Sequence, residues 1–365
     1  MHYTTPLEAF LALLRVTLGR ESLQTVSFDA SLWADVYAIA QKQGLVGVLY
    51  EAVKELPSSA RPDRKLWLQW VVSAEQIKKH NTRADQTVAK VFSRLQEDGF
   101  EALLLKGQGT ARFYPVPQSR LSGDIDVWVL GTRAKIIDYV RRDLPNCRPV
   151  YHHVDARIAG EEAVEIHFFP TWMYNYFANR RLQKMFCEYA SKPFASQCTL
   201  PIGGVDIPIP TVTFNSVYVL IHLYRHLFEE GIGLRQLLDC YYIWQQRENL
   251  DVETYKEKLE KLHLTNFAAA VGYVFHQWFG VSVNELIIAP NERLGRQLMS
   301  EVLISGNFGK YGFGQVLRTQ TRFQRVRAKF KRNMQFLRAY PGEVIAAPLF
   351  KLWHYLWRKR HGWTR

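Results

Sequence analysis

Apolar residues recur at helical spacing through the first hundred positions of the chain. The pattern predicts a helix that Asp29 caps and Gly44 ends, because Asp accepts a hydrogen bond at a helix start and Gly tolerates the backbone conformation at a helix end. A longer helix is predicted at about Asp63–Glu97, with Gly99 after it. We therefore interpret residues 1–98 as a helical region that packs on the next part of the chain.

Between residues 99 and 210 the helical spacing is replaced by short apolar segments. Turn residues bound these segments, which is typical of strands. Short helices are also predicted, one at Gln108–Tyr114 and one from the capping residue Thr132 to near Pro145. The predicted strands are Ala102–Lys106, Asp124–Val129, Pro149–Ile158 and Ala163–Phe169, the last two forming a hairpin around Gly160, and a further hairpin covers Leu200–Ile209.

Helical spacing returns near Thr213. Phe214–Phe228 is apolar on nearly every side, so it is predicted to be a buried helix. The predicted fold class is therefore α+β, with a small mixed β-sheet core flanked by N-terminal and C-terminal helical regions. The predicted domains are an N-terminal helical region (1–98), the α/β core (99–210), a second helical domain (211–304) and a C-terminal extension (305–365) that a glycine-rich loop at 305–315 begins.

The net charge of +13 is concentrated near the C-terminus. Over residues 310–365, fourteen Lys or Arg residues stand against one acid, Glu343, while the rest of the chain has equal numbers of basic and acidic residues. This distribution argues against a protein that binds nucleic acid over its whole surface.

Cysteine spacing and hydropathy indicate a cytoplasmic protein. The four cysteines show no metal-ligand spacing and are interpreted as reduced thiols. The N-terminal apolar run contains Glu8, lacks a preceding basic cluster and is not predicted to be a signal peptide. No apolar run is long enough to predict a spanning helix. Peripheral association with the inner face of a membrane is left open.

The basic C-terminal extension has three interpretations. Over residues 318–365, Lys and Arg are interleaved with aromatic side chains, a composition that suits an anionic membrane surface. The same composition suits the backbone of RNA. A helix that packs on the core and keeps its charges in solvent is the plainest interpretation.

Carboxylates on two predicted strands are the clearest chemical signal. Asp124 and Asp126 are two residues apart, so their side chains point to the same side of a strand. Such a pair repels unless a cation lies between, and Mg²⁺ takes oxygen ligands of this kind, usually with phosphate oxygens. Glu165 shares a strand face with His167 and is predicted to be a third carboxylate at the metal. A half-exposed position at the sheet edge is the alternative for Glu165.

A lysine-glycine turn precedes the acidic strand. Gly107 and Gly109 allow the backbone to approach a phosphate closely. The amides that begin the helix at Gln108 would face the same place and could bind an anion. The stretch therefore predicts a combined metal and phosphate site.

The segments KGQGTARFYPVPQSRLSGDIDVWV and VEIHFF resemble uncharacterised bacterial nucleotidyltransferase-like proteins of the DNA polymerase beta-type superfamily. The resemblance covers about residues 100–240, including LIHLYRHLFEEGIGLRQLLD. The superfamily's usual turn is Gly-Ser, and Lys106-Gly107-Gln108 stands in its place here. The sequence therefore supports metal binding better than it supports triphosphate binding.

The resemblance implies a Mg²⁺-dependent enzyme that transfers NMP from an NTP to a hydroxyl or similar group by two-metal phosphoryl transfer. Asp124, Asp126 and Glu165 would hold two Mg²⁺ ions, with Mn²⁺ as a substitute, and Glu165 could accept the proton of the acceptor. Lys106 and Arg120 would neutralise charge on pyrophosphate. The residues expected to bind the nucleotide are Lys106, Gly107, Gln108, Arg120, Gly123 and His167.

The resemblance does not name the acceptor, which is expected to be a small molecule, a sugar or a peptide. Two other functions stay open. One is a catalytically inactive nucleotide-binding or scaffold protein of the same fold, and the other is a transferase that modifies RNA or protein. The nucleotide base and the oligomeric state are not predicted.

Polar residues of the second helical domain suggest the lining of an acceptor pocket. His222 and His226 are one helical turn apart, but the catalytic Glu of a zinc protease motif is missing between them. A polar lining is therefore favoured over a zinc site. Arg235 and Asp239, also one turn apart, are predicted to form an ion pair.

Overall fold

The structure, a computed structural model, describes residues 2–158, 164–194, 198–307 and 321–363. Helices predominate, and small β-sheets lie among them. The predicted α+β class is confirmed. Gly160 and most of the loop predicted at 305–315 lie outside the described residues.

Capped helices form the N-terminal region, as predicted. Asp63 accepts hydrogen bonds from the first amides of the longest helix, and Gly44 ends an earlier helix in the left-handed conformation, with φ of 69°. The elements are β1 His2–Tyr3, α1 Pro6–Thr17, β2 Ser27–Phe28, α2 Trp33–Gln43, α3 Val46–Val53 and α4 Arg64–Glu97.

A four-stranded mixed sheet holds the candidate site. Its strands are β3 Ala102–Leu104, β4 Ile125–Val129, β5 His153–Ala156 and β6 Val164–His167, in the spatial order β3-β4-β6-β5. β4 is antiparallel to β3 and parallel to β6. β5 pairs with β6 in the predicted antiparallel sense. The parallel register sets Asp126 opposite Glu165, so Glu165 lies on an interior strand rather than at the sheet edge.

The helices between the strands of this sheet are shorter than predicted. α5 covers Gln108–Ala111 and does not reach Tyr114, and α6 covers Arg133–Val140 and ends well before Pro145. After each helix the backbone continues in turns with i→i+3 hydrogen bonds, from the Tyr114 amide to the Ala111 oxygen and from the Asp143 amide to the Val140 oxygen. Thr132 caps α6 as predicted.

Helices make up most of the chain after β6. They pack with α1, α2 and α3 in one hydrophobic cluster, so residues from both ends of the chain share a core. The elements are α7 Tyr176–Ala190, a hairpin of β7 Thr199–Ile202 and β8 Val205–Pro208, α8 Val212–Glu229, α9 Leu234–Trp244, α10 Val252–Lys261, α11 Thr265–Phe279, α12 Glu292–Ser305, α13 Arg322–Met334 and α14 Pro341–Arg360.

Both faces of the central sheet are covered. Ile125, Val127 and Val129 of β4 belong to a cluster that includes the C-terminal part of α4, α6 and the β7–β8 hairpin. Trp128 points to the other face, where its ring centroid lies 5.0 Å from that of Phe194. Because side chains alternate along a strand, Asp126 shares the face of Trp128, on which α7 and α8 pack.

The C-terminal helix α14 is attached to the core at its first turn. Glu343 is buried and accepts hydrogen bonds from the backbone amides of Tyr174 at 2.8 Å and Asn175 at 3.0 Å. Val344 and Ala347 pack in the main hydrophobic cluster. Of the helices in the described part of the chain, none is long and apolar enough to cross a membrane.

Gly47 lies where α3 packs closely on the loop that leads to Arg120. A Cβ built on Gly47 would lie 2.3 Å from the backbone oxygen of Ser119. Gly47→Ala is therefore expected to lower the free energy of unfolding in urea by about 1–3 kcal/mol.

The matched control is Gly272→Ala in α11. There the nearest atom to the new Cβ, the backbone oxygen of Ile288, would be 3.4 Å away. Stability should stay unchanged or rise by up to about 1 kcal/mol, because Ala favours a helix more than Gly does. A Gly47→Ala variant as stable as the wild type would contradict the packing described here.

Candidate active site

Asp126 is a buried carboxylate near the start of β4. It is 2 % exposed, and its Oδ1 lies 3.0 Å from Nζ of Lys106 and 2.9 Å from Nε2 of His167. Burial alone would raise the pKa of Asp126, but Lys106 and His167 outweigh it and hold the pKa below the usual range. Asp126 is therefore ionised at neutral pH.

Imidazole nitrogens surround Glu165. Its Oε2 lies 3.3 Å from Nε2 of His167 and 3.4 Å from Nδ1 of His153, and Nε2 of His152 lies 3.0 Å from that same Nδ1. One possible ligand atom from each of these four residues lies within 4.8 Å of the others. Burial lowers the pKa of His152, and it lowers the pKa of His153 to about 4, so both rings are neutral near pH 7. Neutral imidazoles with a carboxylate can hold a divalent transition metal.

Asp124 is the exposed member of the three carboxylates. Partial burial and then the negative charges of Glu165 and Asp126 raise the pKa of Asp124. Within the described residues, no cationic side chain lies at ion-pair distance from Asp124, and its negative charge is therefore not paired. A divalent cation would relieve the repulsion among the three carboxylates. The residues present thus fit a metal site.

The glycine turn lies directly beside Asp124. Gly107 has φ of 62° and ψ of −117°, which glycine adopts more readily than other residues, and a Cβ there would lie 3.4 Å from the backbone oxygen of Asp124. Lys106 extends its Nζ to 3.2 Å from Nε2 of His222. The side chain of Gln108 is buried and donates to the Ser122 hydroxyl at 3.1 Å, so it is not free to contact a ligand.

Arg120 forms a buried ion pair with Asp239 of α9. Its Nε and Nη2 donate to the two carboxylate oxygens at 2.7 Å and 2.8 Å, and the Tyr114 hydroxyl donates to the same carboxylate at 2.6 Å. The predicted pair of Arg235 and Asp239 is present at 3.9 Å, as the longer contact. Since Arg120 is committed to Asp239, its expected contact with pyrophosphate stays a prediction.

Most of the predicted site residues open into one cavity of 570 Å³. Gln108 and His167 are outside its lining, although His167 contacts two of the carboxylates from behind. His222 and His226 of α8 line the cavity with their Nε2 atoms 2.8 Å apart, as expected of a polar pocket wall. The predicted residues that line the cavity are Asp124, Asp126, Glu165, Lys106, Gly107, Arg120 and Gly123.

Two parts of the cavity wall were not predicted. Phe350, Lys351 and His354 come from α14, and Arg225 of α8 lies with its guanidinium carbon 4.2 Å from the ring centroid of Trp172. The mixture of basic and aromatic residues in the C-terminal extension was visible in the sequence, but not which surface it covers. Contacts between positions this far apart leave no local pattern.

Carboxylates on adjacent strands, a glycine turn and a basic residue beside one cavity would suit a protein that transfers phosphoryl-containing groups. The chain belongs to the family described as uncharacterised nucleotidyltransferase, whose sequence model matches residues 29–280. The protein is therefore a transferase, and the resemblance read from its sequence is confirmed. A search of curated protein sequences finds no match.

Two solved structures are similar to the chain at low sequence identity. One is an antigenic nucleotidyltransferase-like protein from Paracoccidioides brasiliensis, with 11% identity, a TM-score of 0.33, and coverage of 61% of this chain and 98% of that one. The other is the Thermotoga maritima CCA-adding enzyme complexed with tRNA, with 9% identity, a TM-score of 0.18, and coverage of 72% and 77%. The family assignment depends on neither structure.

The Arg120–Asp239 ion pair connects the loop that precedes β4 to α9. Removing one partner of the pair is expected to lower the stability of the fold. Asp239→Asn leaves a buried guanidinium without its counter-charge and should lower the free energy of unfolding by about 3–5 kcal/mol. Asp138→Asn is the control, since Asp138 pairs with Arg141 at an exposed position and should change stability by less than about 0.5 kcal/mol. Urea denaturation measures both, and equal effects would contradict a buried pair.

Proposed function

We propose that the protein transfers NMP from a nucleoside triphosphate to a hydroxyl or similar group of an acceptor in a reaction that requires Mg²⁺. The convergence of Asp124, Asp126 and Glu165 beside one cavity is the observation that carries the proposal. Three carboxylates in one place are unfavourable without a cation, and Mg²⁺ brought with a triphosphate supplies it.

The three carboxylates would hold two Mg²⁺ ions, which supply positive charge for the triphosphate and activate its α-phosphorus. Mn²⁺ would substitute, because His152 and His153 place imidazole nitrogens beside Glu165. No other cofactor is needed for this chemistry.

Groups of the turn and its neighbours would bind the nucleotide. Lys106 lies at the cavity wall and carries a charge on a flexible chain, which suits a phosphate oxygen. Gly107 and Gly123 carry no side chain, so their backbone can approach the phosphates closely, and the backbone amide of Gln108 would bind beside Gly107. Arg120, whose guanidinium is paired with Asp239, would add positive charge near the phosphates.

Glu165 is proposed to take the proton from the acceptor hydroxyl. His167 contacts both Glu165 and Asp126 from behind the cavity and would keep the two carboxylates in position. The part of the cavity wall formed by His222, His226, Lys351 and His354 is polar and would bind the acceptor. A small molecule, a sugar or a peptide would each fit this description.

One observation favours a second candidate, a catalytically inactive nucleotide-binding or scaffold protein. The Nζ of Lys106 lies 3.0 Å from Asp126 and neutralises it as a metal ion would. A protein that had lost turnover could be stabilised by such a contact. The two candidates differ in whether nucleotide transfer is observed and whether it depends on Asp124.

Asp124→Asn separates a catalytic role from a structural one. Because burial and then repulsion from Glu165 and Asp126 raise the pKa of Asp124, its charged form is disfavoured in the folded state, and neutralising this residue should leave thermal stability unchanged or higher. Transfer from an α-labelled NTP should fall at least about a hundredfold, since several kcal/mol of transition-state stabilisation are lost. The assay incubates purified protein with each labelled NTP, Mg²⁺ or Mn²⁺ and a cell extract that supplies acceptors.

Asp126→Asn should abolish transfer as well, and Asp206→Asn on the β7–β8 hairpin is the control that should retain it. Asp206 is exposed and lies outside the cavity lining. Transfer that survives in Asp124→Asn or Asp126→Asn would contradict the metal assignment. NTP binding without transfer in the wild type would support the inactive alternative.

A further inference from the structure

The helix α14 exposes an apolar stripe along its outer side. Ile345, Leu349, Leu352, Trp353 and Leu356 recur at the spacing of one helical face and are between 46% and 68% exposed. Isolated apolar residues on a protein surface are ordinary, but a continuous stripe over three turns of one helix is not. The stripe is therefore suited to an apolar partner.

The opposite side of α14 faces the protein. Glu343 and Ala347 are buried, while Lys351 and His354 line the catalytic cavity. The apolar stripe is offset from these positions by about half a turn of the helix. Whatever binds the stripe would consequently lie just outside the cavity wall.

The neighbouring helix α13 carries a shorter stripe of the same kind. Val326, Phe330 and Met334 follow at intervals of four residues and are 63%, 51% and 40% exposed. Across residues 321–363 the chain has eleven Lys or Arg residues and a single acid, Glu343, which is buried. Exposed apolar side chains are thus combined with a strong positive charge.

We propose that α13 and α14 dock on an anionic lipid surface, with the apolar stripe of α14 inserted among the lipids and the basic residues against the headgroups. An interfacial helix combines these two features, and each exposed Lys or Arg strengthens its attraction to anionic lipid. The proposal concerns the partner of this surface and does not depend on the proposed function.

The composition of the surface favours lipid over other partners. Nucleic acid would satisfy the basic residues but would leave Leu349, Leu352 and Leu356 without an apolar environment. A second copy of the chain could cover the apolar stripe, but it would bring two strongly basic helices together. An anionic membrane satisfies both the charge and the apolar side chains. Docking would place the cavity wall formed by Lys351 and His354 next to the membrane.

Co-sedimentation of the full chain with lipid vesicles tests the proposal. We expect binding to vesicles that contain phosphatidylglycerol and at least tenfold weaker binding to pure phosphatidylcholine. The double variant Leu349→Asp/Leu352→Asp should lose binding, because two charges replace apolar contacts. Leu68→Asp on α4, at a side chain that is 52% exposed, is the matched control and should bind like the wild type.

A second variant tests the electrostatic part without altering the apolar stripe. Lys359 and Arg360 are exposed at the end of α14. Lys359→Gln/Arg360→Gln should weaken binding to the anionic vesicles by roughly tenfold or more. Circular dichroism of each variant excludes loss of fold as the cause.

Three outcomes would overturn the proposal. The first is equal sedimentation with charged and neutral vesicles, or none with either. The second is a dimer in light scattering that Leu349→Asp/Leu352→Asp dissociates, which would assign the stripe to a second copy of the chain. The third is binding of RNA that the same double variant weakens, which would assign the surface to nucleic acid.

Discussion

The parallel pairing of β4 and β6 is the constraint on which the site depends. In this register Asp126 lies opposite Glu165, and the two carboxylates are brought to the same end of the sheet. A buried carboxylate is costly unless it is paired, and Lys106 and His167 both contact Asp126. The sheet therefore carries its own compensation for the buried charge of Asp126. Of the three site carboxylates, Asp124 is the one with no cationic side chain at ion-pair distance within the described residues.

The helices around the sheet form the remaining walls of the cavity beside these carboxylates. α8 places His222 against Lys106, and α9 holds Arg120 through Asp239. α14 then closes the remaining side with Lys351 and His354. The helical regions at the two ends of the chain are thus parts of one structure around the site, since they share a hydrophobic cluster.

Local features could be predicted from the sequence, because their causes are local. The start of the longest helix near Asp63, the ending of α2 at Gly44 and the alternation in the strand of Glu165 each depend on neighbouring residues. Asp29, predicted to cap α2, caps the short 3-10 turn Ala30–Leu32 directly before it. The Asp-x-Asp pair and the family resemblance correctly indicated a nucleotidyltransferase. The lengths of α5 and α6 were overestimated, since a sequence pattern does not separate a short helix from the i→i+3 turns that continue it towards a proline.

Long-range pairing could not be predicted in the same way. Asp239 was expected to pair with Arg235, one turn away, but its close partner is Arg120, which lies far from it in the chain. A helical pattern predicts only the partner one turn away, Arg235, whereas tertiary packing brings Arg120 closer to Asp239. The same limit applies to α14, whose place beside the cavity depends on the contact of Glu343 with the amides of Tyr174 and Asn175.

We infer that Asp124, Asp126 and Glu165 bind divalent metal together with a nucleoside triphosphate. Titration of the purified protein with Mn²⁺, followed by the electron paramagnetic resonance signal of the free ion, tests it most directly. We expect Mn²⁺ uptake that strengthens when a non-hydrolysable NTP analogue is added and that Asp124→Asn abolishes. Absence of uptake, or uptake that Asp124→Asn leaves unchanged, would contradict it.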